Sequence, residues 1–180
     1  DAGKVFSALG LLDRASQGNI LVELTEKSEG YSGSFVARDL RLLDMPLFAD
    51  LLNAVSVVGL LDQLNFDGIA FGEVEGEFYF SEDKFILTRA SATGPSIGLS
   101  MDGTYDFVND QLDLQGTLTP VFLVNSIGGI FNRKGEGLIG FTFNVKGPAE
   151  APQIGVNPFS ALAPSLFRDL FRKPAPETPE

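Results

Sequence analysis

The chain has 180 residues, 44% of them hydrophobic, so we expect a folded protein with a core of its own. Its 13 basic and 24 acidic residues give a formal net charge of −11, which argues against nucleic acid as a partner and against broad attachment to anionic membranes. The sequence contains no cysteine and no histidine, so disulfides, thiol chemistry and the commonest general base and zinc ligand are excluded. We therefore expect no metal site and no cofactor.

We expect one domain over residues 1–173 and a disordered tail over 174–180, which is rich in proline and glutamate and has no core residues. The first residues lack the basic and apolar segments of a signal peptide. We expect the chain to be a piece of a longer protein, and without cysteine its redox compartment stays open.

The first predicted elements are a helix and a hairpin. Apolar residues at helical spacing predict a helix over residues 4–15. Period-two alternation predicts strands over 19–25 and 31–43, joined by a turn at Glu29–Gly30. The apolar series of the second strand is Val36, Leu40 and Leu42.

A second helix is predicted from Met45–Pro46 to about Leu64, with Pro46 at a tolerated first-turn position. Residues 51–61 carry no charge, but they are too few to cross a bilayer, which takes about 20 residues. The helix therefore either packs deeply and covers one end of a sheet, or lies against another apolar surface.

Four strands without an intervening helix are predicted next, as an antiparallel meander over residues 69–80, 84–92, 97–107 and 112–118. In the first of them the apolar series changes phase near Gly72–Glu73, which predicts a β-bulge.

The last two strands of the meander define an apolar face. Asn109–Asp110 is predicted to be a two-residue turn. That turn gives the pairs Phe107–Leu112, Tyr105–Leu114, Gly103–Gly116 and Met101–Leu118. The opposed glycines would leave a gap on this face, filled by a large side chain from a covering helix or by an elongated apolar ligand.

Downstream of the meander the pattern becomes mixed. Residues 121–133 would suit a broken helix, residues 135–147 a strand and residues 148–156 an extended segment. Asn157–Pro158 is typical of a helix start, and apolar residues at helical spacing continue to Leu170.

The segment Gly94-Pro95-Ser96-Ile97-Gly98 matches the G-x-S-x-G pattern of a hydrolase nucleophile. We interpret it instead as the start of a strand, because a nucleophile elbow lies between a strand and a helix. No histidine exists to take the serine proton. We expect the protein not to be an enzyme.

Two charged groups have a functional and a structural interpretation. Asp106 and Asp113 would face each other beside the predicted turn, where they could bind a hard cation, share a proton or simply be solvated. Arg168, Arg172 and Lys173 could contact lipid phosphates, or they could stabilise the last turn of a helix.

Several stretches together resemble a known family. They are 68–71, 94–106, 112–120, Asn125, 135–138 and 152–171, the last containing Val156-Asn157-Pro158-Phe159-Ser160. In these residues the chain resembles the C-terminal region of the AsmA-like proteins of Gram-negative bacteria, particularly the YhdP-like members. The shared residues are mostly glycines, prolines and strand positions and include no catalytic signature.

The resemblance implies a periplasmic domain of a protein that is anchored in the inner membrane by an upstream segment. It further implies a long sheet whose apolar groove carries phospholipid toward the outer membrane and supports outer-membrane biogenesis. The implied partners are phospholipid, a membrane reached through the anchor or at the outer membrane, and an envelope protein.

Taken together, these observations predict an α+β fold dominated by β-structure. We expect a curved antiparallel sheet, open like a taco-shaped half-barrel, with amphipathic helices at both ends and a non-enzymatic role in lipid handling. The alternative is a structural or protein-interaction module of the cell envelope whose core is covered by its own helices. The residues expected to line the lipid groove are Phe71, Val74, Phe78, Phe80, Ile97, Leu99, Met101, Tyr105, Leu112, Leu114 and Leu118.

Overall fold

The computed structural model describes residues 15–16, 18–42, 46–55, 68–120, 140–157, 159–160 and 172–179. The elements in this part of the chain are β1 (Ala15–Ser16), β2 (Asn19–Lys27), β3 (Gly30–Leu42), α1 (Pro46–Ala54), β4 (Ile69–Phe80), β5 (Lys84–Thr93), β6 (Ile97–Asp106), β7 (Gln111–Pro120), β8 (Phe141–Gly147) and β9 (Gln153–Asn157). Within these residues no helix combines the length and apolarity that a membrane span requires.

All nine strands belong to one antiparallel sheet, in the order β1-β3-β4-β5-β6-β7-β8-β9, with β2 also paired to β3. β1 and β2 lie on the side of β3 away from β4 and share one register with it, so together they form one edge. β9 forms the other edge, so the sheet of the described strands is open. The predicted β-dominated fold, open antiparallel sheet and β4–β7 meander are confirmed.

Several predicted elements lie outside the described residues. They are the helix over 4–15, except that Ala15 is in β1, the broken helix over 121–133 and most of the C-terminal helix. The second predicted helix is described only as α1. At the predicted C-terminal helix start, the backbone N–H of Phe159 donates to Oδ1 of Asn157 at 3.0 Å, which is the expected capping bond.

The strand register gives the sheet one apolar and one polar face, because residues directly opposite each other share a face. Four apolar rows cross the strands. They are Ile20–Ala37–Val74–Ala92–Leu99–Leu118–Phe141; Val22–Phe35–Gly76–Ala90–Met101–Gly116–Phe143–Val156; Leu24–Gly33–Phe78–Leu87–Gly103–Leu114–Val145–Ile154; and Tyr31–Phe80–Phe85–Tyr105–Leu112. We call this surface the apolar face and the opposite surface the polar face.

The core lies under α1, at the end of the sheet where β3 ends and β4 begins. Four residues at helical spacing are buried there: Phe48, Leu51, Leu52 and Val55. They belong to one apolar cluster with Ile69 and Phe71 of β4 and with Ile97 and Leu118 further along the sheet. Helix α1 therefore covers one end of the sheet, in agreement with one of the two interpretations of the sequence.

The predicted register of the β6–β7 hairpin is wrong by two residues. Residues 107–110 form a four-residue loop, so that Tyr105 pairs with Leu112 and Met101 with Gly116. A shift of two residues preserves which face each side chain occupies, because the side-chain period of a strand is two. The predicted apolar face of this hairpin is therefore retained although every predicted pair is changed.

The longer loop is closed by Asp106. Its Oδ1 accepts hydrogen bonds from the backbone N–H groups of Val108 and Asn109, both at 2.9 Å, and Asp110 has a φ of 52°. Short acidic side chains tolerate the left-handed region and bond to nearby backbone, which stabilises this loop over a two-residue turn.

Glycines on the apolar face are covered by neighbouring side chains, so the expected gap between Gly103 and Gly116 does not exist. A Cβ on Gly116 would lie 2.5 Å from Cζ of Phe143, and a Cβ on Gly76 would lie 2.6 Å from the ring of Phe35. Aromatic rings from adjacent strands therefore occupy this space, rather than a covering helix or a ligand.

The predicted β-bulge at Gly72–Glu73 is also wrong. The β3–β4 register runs without a shift through this point, where Asp39 of β3 has a φ of 58° and lies opposite Gly72. The change of phase therefore accompanies the left-handed conformation of Asp39. The bulge lies in β5 instead, at Thr88, whose Oγ1 donates to the carbonyl oxygen of Glu77 at 2.9 Å.

We predict that Gly103→Ala lowers the free energy of unfolding by about 1–3 kcal/mol, because the residue has a φ of 145° and its Cβ would lie 2.6 Å from Cα of Leu114. Gly72→Ala is the control, since its Cβ meets only Thr93 O, at 3.8 Å. Urea denaturation measures both variants, and equal stabilities would contradict the close approach at Gly103.

Candidate functional site: the apolar face

The middle of the apolar face is only half covered. Ten of its side chains are neither buried nor fully exposed: Phe35, Val74, Phe78, Phe85, Ala90, Leu99, Met101, Tyr105, Leu112 and Leu114. We call this set the apolar trough. It crosses β3 to β7, and in a self-sealed domain such side chains would be packed under another element.

The trough changes in depth along the strands. At its α1 end it merges into the core, where Ile97 and Leu118 are completely buried. At the opposite end, where the hairpin turns lie, Tyr31 and Phe80 are exposed. The apolar face is thus sealed at one end and open to solvent at the other.

Most of the residues predicted to line a lipid groove lie in this trough. Seven of the eleven are half-buried: Val74, Phe78, Leu99, Met101, Tyr105, Leu112 and Leu114. Phe80 lies at the open end, whereas Phe71, Ile97 and Leu118 lie in the core under α1 and have no surface for a ligand in this conformation.

Sequence reasoning missed the trough residues of β3 and β5. It placed Val36 on the apolar face, but Phe35 occupies that face because the phase of β3 changes at Asp39. The charged pair Arg38–Asp39, which interrupts the apolar series of this strand, was the sequence feature that could have indicated the change of phase. Phe85 follows the Glu82–Asp83 turn and was not assigned to a face.

Aromatic rings line the trough toward its open end. The rings of Phe78 and Phe85 stack with centroids 5.5 Å apart, and Phe35 lies 6.4 Å from Phe78. Tyr105 meets Phe107 edge to face at 4.9 Å. Its hydroxyl donates to Oδ1 of Asp110 at 2.8 Å, and this hydrogen bond raises the pKa of Tyr105. Tyr105 therefore has one apolar and one polar end.

The polar face is partly covered by residues 172–179, which we call the C-terminal strap. Arg172 forms an ion pair with Asp102 in which both side chains are buried, and it donates to Oγ of Ser100 at 3.4 Å. The amide of Gln115 bonds both backbone groups of Lys173, at 2.7 and 2.9 Å. The strap is thereby held against β6 and β7, and the predicted disorder of 174–180 stays a prediction.

Beyond this attachment a groove runs between the strap and the polar face. Its two parts have volumes of ≈ 430 and ≈ 700 Å³, and both are lined by Ser34, Glu77 and Thr88. These three side chains are two hydroxyls and a carboxylate, but the larger part is also lined by Val36 and by the trough residues Phe35, Ala90 and Met101, so the groove is of mixed polarity.

The two acidic residues beside the predicted turn do not face each other. Asp113 lies opposite Thr104, and Asp106 lies opposite Gln111. The side-chain and backbone N–H groups of Asn109 donate to Asp106 and hold its pKa below the usual value. The pair therefore does not form a cation site.

Asp113 instead interacts with lysines. Burial alone would raise its pKa, but Lys173 at 3.0 Å and Lys146 at 3.5 Å outweigh that effect and lower the pKa. Because Arg172 is bound to Asp102, two of the three basic residues considered for lipid phosphates already have carboxylate partners. Arg168 lies outside the described residues.

Ser96 lies in the turn between β5 and β6, where the backbone N–H of Gly94 donates to the carbonyl oxygen of Ile97 at 2.9 Å. The serine therefore leads into a strand, as expected, and not into a helix.

Comparison of the chain with protein-family models, with curated proteins and with solved structures finds no match.

We predict that Arg172→Ala lowers the free energy of unfolding by about 3 kcal/mol, because it leaves the buried carboxylate of Asp102 without its partner. Lys173→Ala, in the same strap, should cost clearly less, since its ion pair is exposed and screened by solvent. Urea denaturation measures both, and indistinguishable losses would show that the buried pair does not hold the strap.

Proposed function

We propose that this chain is a non-enzymatic lipid-handling domain whose apolar trough shields the acyl chains of phospholipid. The observation that carries the proposal is the half-covered state of the trough across five strands. Each CH₂ group that moves from water into an apolar environment gains about 0.8 kcal/mol, so a trough of this kind favours hydrocarbon.

The shape of the face supports the same conclusion. The trough is closed at the end under α1 and open at the turn end, where Phe80 is exposed. An acyl chain could therefore lie across the strands or enter from the turn end without displacing the core. Aromatic rings lie over Gly76 and Gly116, so the backbone at these positions is covered by apolar side chains.

The sequence resemblance supports a cellular setting for this activity. We propose that the chain is the C-terminal region of an AsmA-like, YhdP-like protein that faces the periplasm and is anchored in the inner membrane upstream. Its trough would then serve phospholipid transport between the inner and outer membranes and support outer-membrane biogenesis. Direction and energy would be supplied by other parts of the system.

We predict that Met101→Glu removes phospholipid that co-purifies with the protein, because a carboxylate in the middle of the trough would have to be desolvated by an acyl chain. Met101 is half-buried on β6, so the sheet should still fold. Native mass spectrometry of the purified protein measures the bound lipid, and circular dichroism checks folding.

Leu21→Glu is the matched control, because it places the same charge on the exposed polar face of β2. It should retain bound lipid. A wild-type protein without lipid, or a Met101→Glu variant that keeps it, would contradict the proposal.

A second candidate function is that of a protein-interaction module, which is favoured by strand β2. This edge strand is nine residues long, and Leu21 and Leu24 on it are 62% and 61% exposed. Long exposed apolar edges add strands from partners or aggregate unless they are protected. An envelope protein could extend the sheet at this edge.

For this second function we predict that Leu24→Lys abolishes a crosslinked complex with an envelope partner in cells while leaving lipid binding intact. Charged edge residues oppose strand addition. Met101→Glu should show the reverse pattern, losing lipid and keeping the complex. If the complex persisted in both variants, the β2 edge would be ruled out as the contact.

A further inference from the structure

The hairpin turns at the open end of the sheet carry an exposed apolar patch. It consists of Tyr31, Phe80, Phe107 and Val108, whose side chains are between 37% and 71% exposed. Phe80 and Phe107 meet edge to face with centroids 5.8 Å apart, so the patch is contiguous across two hairpins. We call it the turn-end patch.

The loops that carry the patch are tied to one another. The backbone N–H of Phe107 donates to the carbonyl oxygen of Asp83 at 2.8 Å, which joins the β6–β7 loop to the β4–β5 turn. Oδ1 of Asp110 accepts from the hydroxyl of Tyr105 at 2.8 Å and from the N–H of Ala149 at 3.4 Å, which reaches the β8–β9 turn. The patch is therefore presented on a preorganised surface, which lowers the entropic cost of binding.

The loops at this end of the sheet carry charge of one sign. The loops between the strands at this end are residues 28–29, 81–83, 107–110 and 148–152, and none of them contains a basic residue. Their acidic residues are Glu29, Glu82, Asp83, Asp110 and Glu150. The nearest basic residues along the chain, Lys27, Lys84 and Lys146, lie in the strands.

We propose that the turn-end patch is the docking surface for a basic, amphipathic segment of a partner protein. An apolar patch surrounded by polar residues marks an interaction site, and aromatic residues are enriched at protein interfaces. The surrounding carboxylates complement Lys and Arg in the partner and reject acidic surfaces. Because anionic membranes attract basic proteins, this acidic surface suits a protein segment better than a bilayer.

This inference goes beyond the lipid function, since it requires neither the trough nor a bound lipid. The probe is a fluorescent helical peptide of about 18 residues, roughly five turns, with leucine on one face and lysine on the other. Fluorescence anisotropy measures its binding to the full chain, and a peptide with glutamate in place of lysine is the charge control.

We predict that the lysine peptide binds more weakly as salt is raised, because its contact with the exposed carboxylates is screened, and that the glutamate peptide does not bind. Removing the aromatic contacts with Phe80→Ser and Phe107→Ser together should weaken binding at least about tenfold. Val108→Ser, a change at an exposed loop position, should weaken it in the same direction and guards against a folding defect.

Matched changes on the edge strand separate docking from general attraction to an acidic protein. Leu21→Ser with Leu24→Ser removes apolar side chains from β2 that are more exposed than Phe80 and Phe107. Glu23→Lys with Glu26→Lys changes the net charge by the same amount as Glu82→Lys with Asp83→Lys. Only the turn-end variants should weaken binding.

Equal losses at both places would overturn the proposal, as would equal binding of the glutamate peptide. Vesicles of phosphatidylcholine, with and without an anionic lipid, test the other occupant. Binding to vesicles through Phe80 and Phe107, without binding of the lysine peptide, would identify a membrane contact and overturn the proposal.

Discussion

The cross-strand register is the constraint on which the rest of this structure depends. Antiparallel pairing places residues from up to eight strands in common rows, so alternate positions make one continuous apolar and one continuous polar face. A slip of one residue in any strand would move its side chains to the opposite face. The trough, the core under α1 and the docking of the C-terminal strap all rely on this register.

The two faces are stabilised in different ways. On the apolar face α1 buries only one end, and rings such as Phe35 and Phe143 fill the space over glycines instead of a covering helix. On the polar face Arg172 reaches Asp102 from seventy residues away along the chain, and the strap covers hydroxyl-bearing residues. The strap therefore attaches to part of the polar face, while the apolar face is buried under α1 at one end and only partly covered across the trough.

The sequence predicted those features that depend on local periodicity. The alternation from Ile97 to Leu118 identified the faces of β6 and β7 correctly, because the period of a strand is a property of the chain itself. The loop length was missed, since it depends on Asp106 accepting two backbone hydrogen bonds. Phe35 was missed because the left-handed Asp39 changes the phase of β3. Period alone also cannot separate buried Leu118 from half-buried Leu99, because their coverage depends on a distant helix.

Photocrosslinking in cells tests most directly the proposal that the apolar face shields the acyl chains of lipids. Tyr105 and Thr104 are adjacent on β6 but lie on opposite faces, so a photoreactive residue at each position samples the two surfaces separately. We expect phospholipid to be crosslinked at position 105 and not at position 104. Absence of lipid at 105, or equal labelling at both positions, would contradict the account.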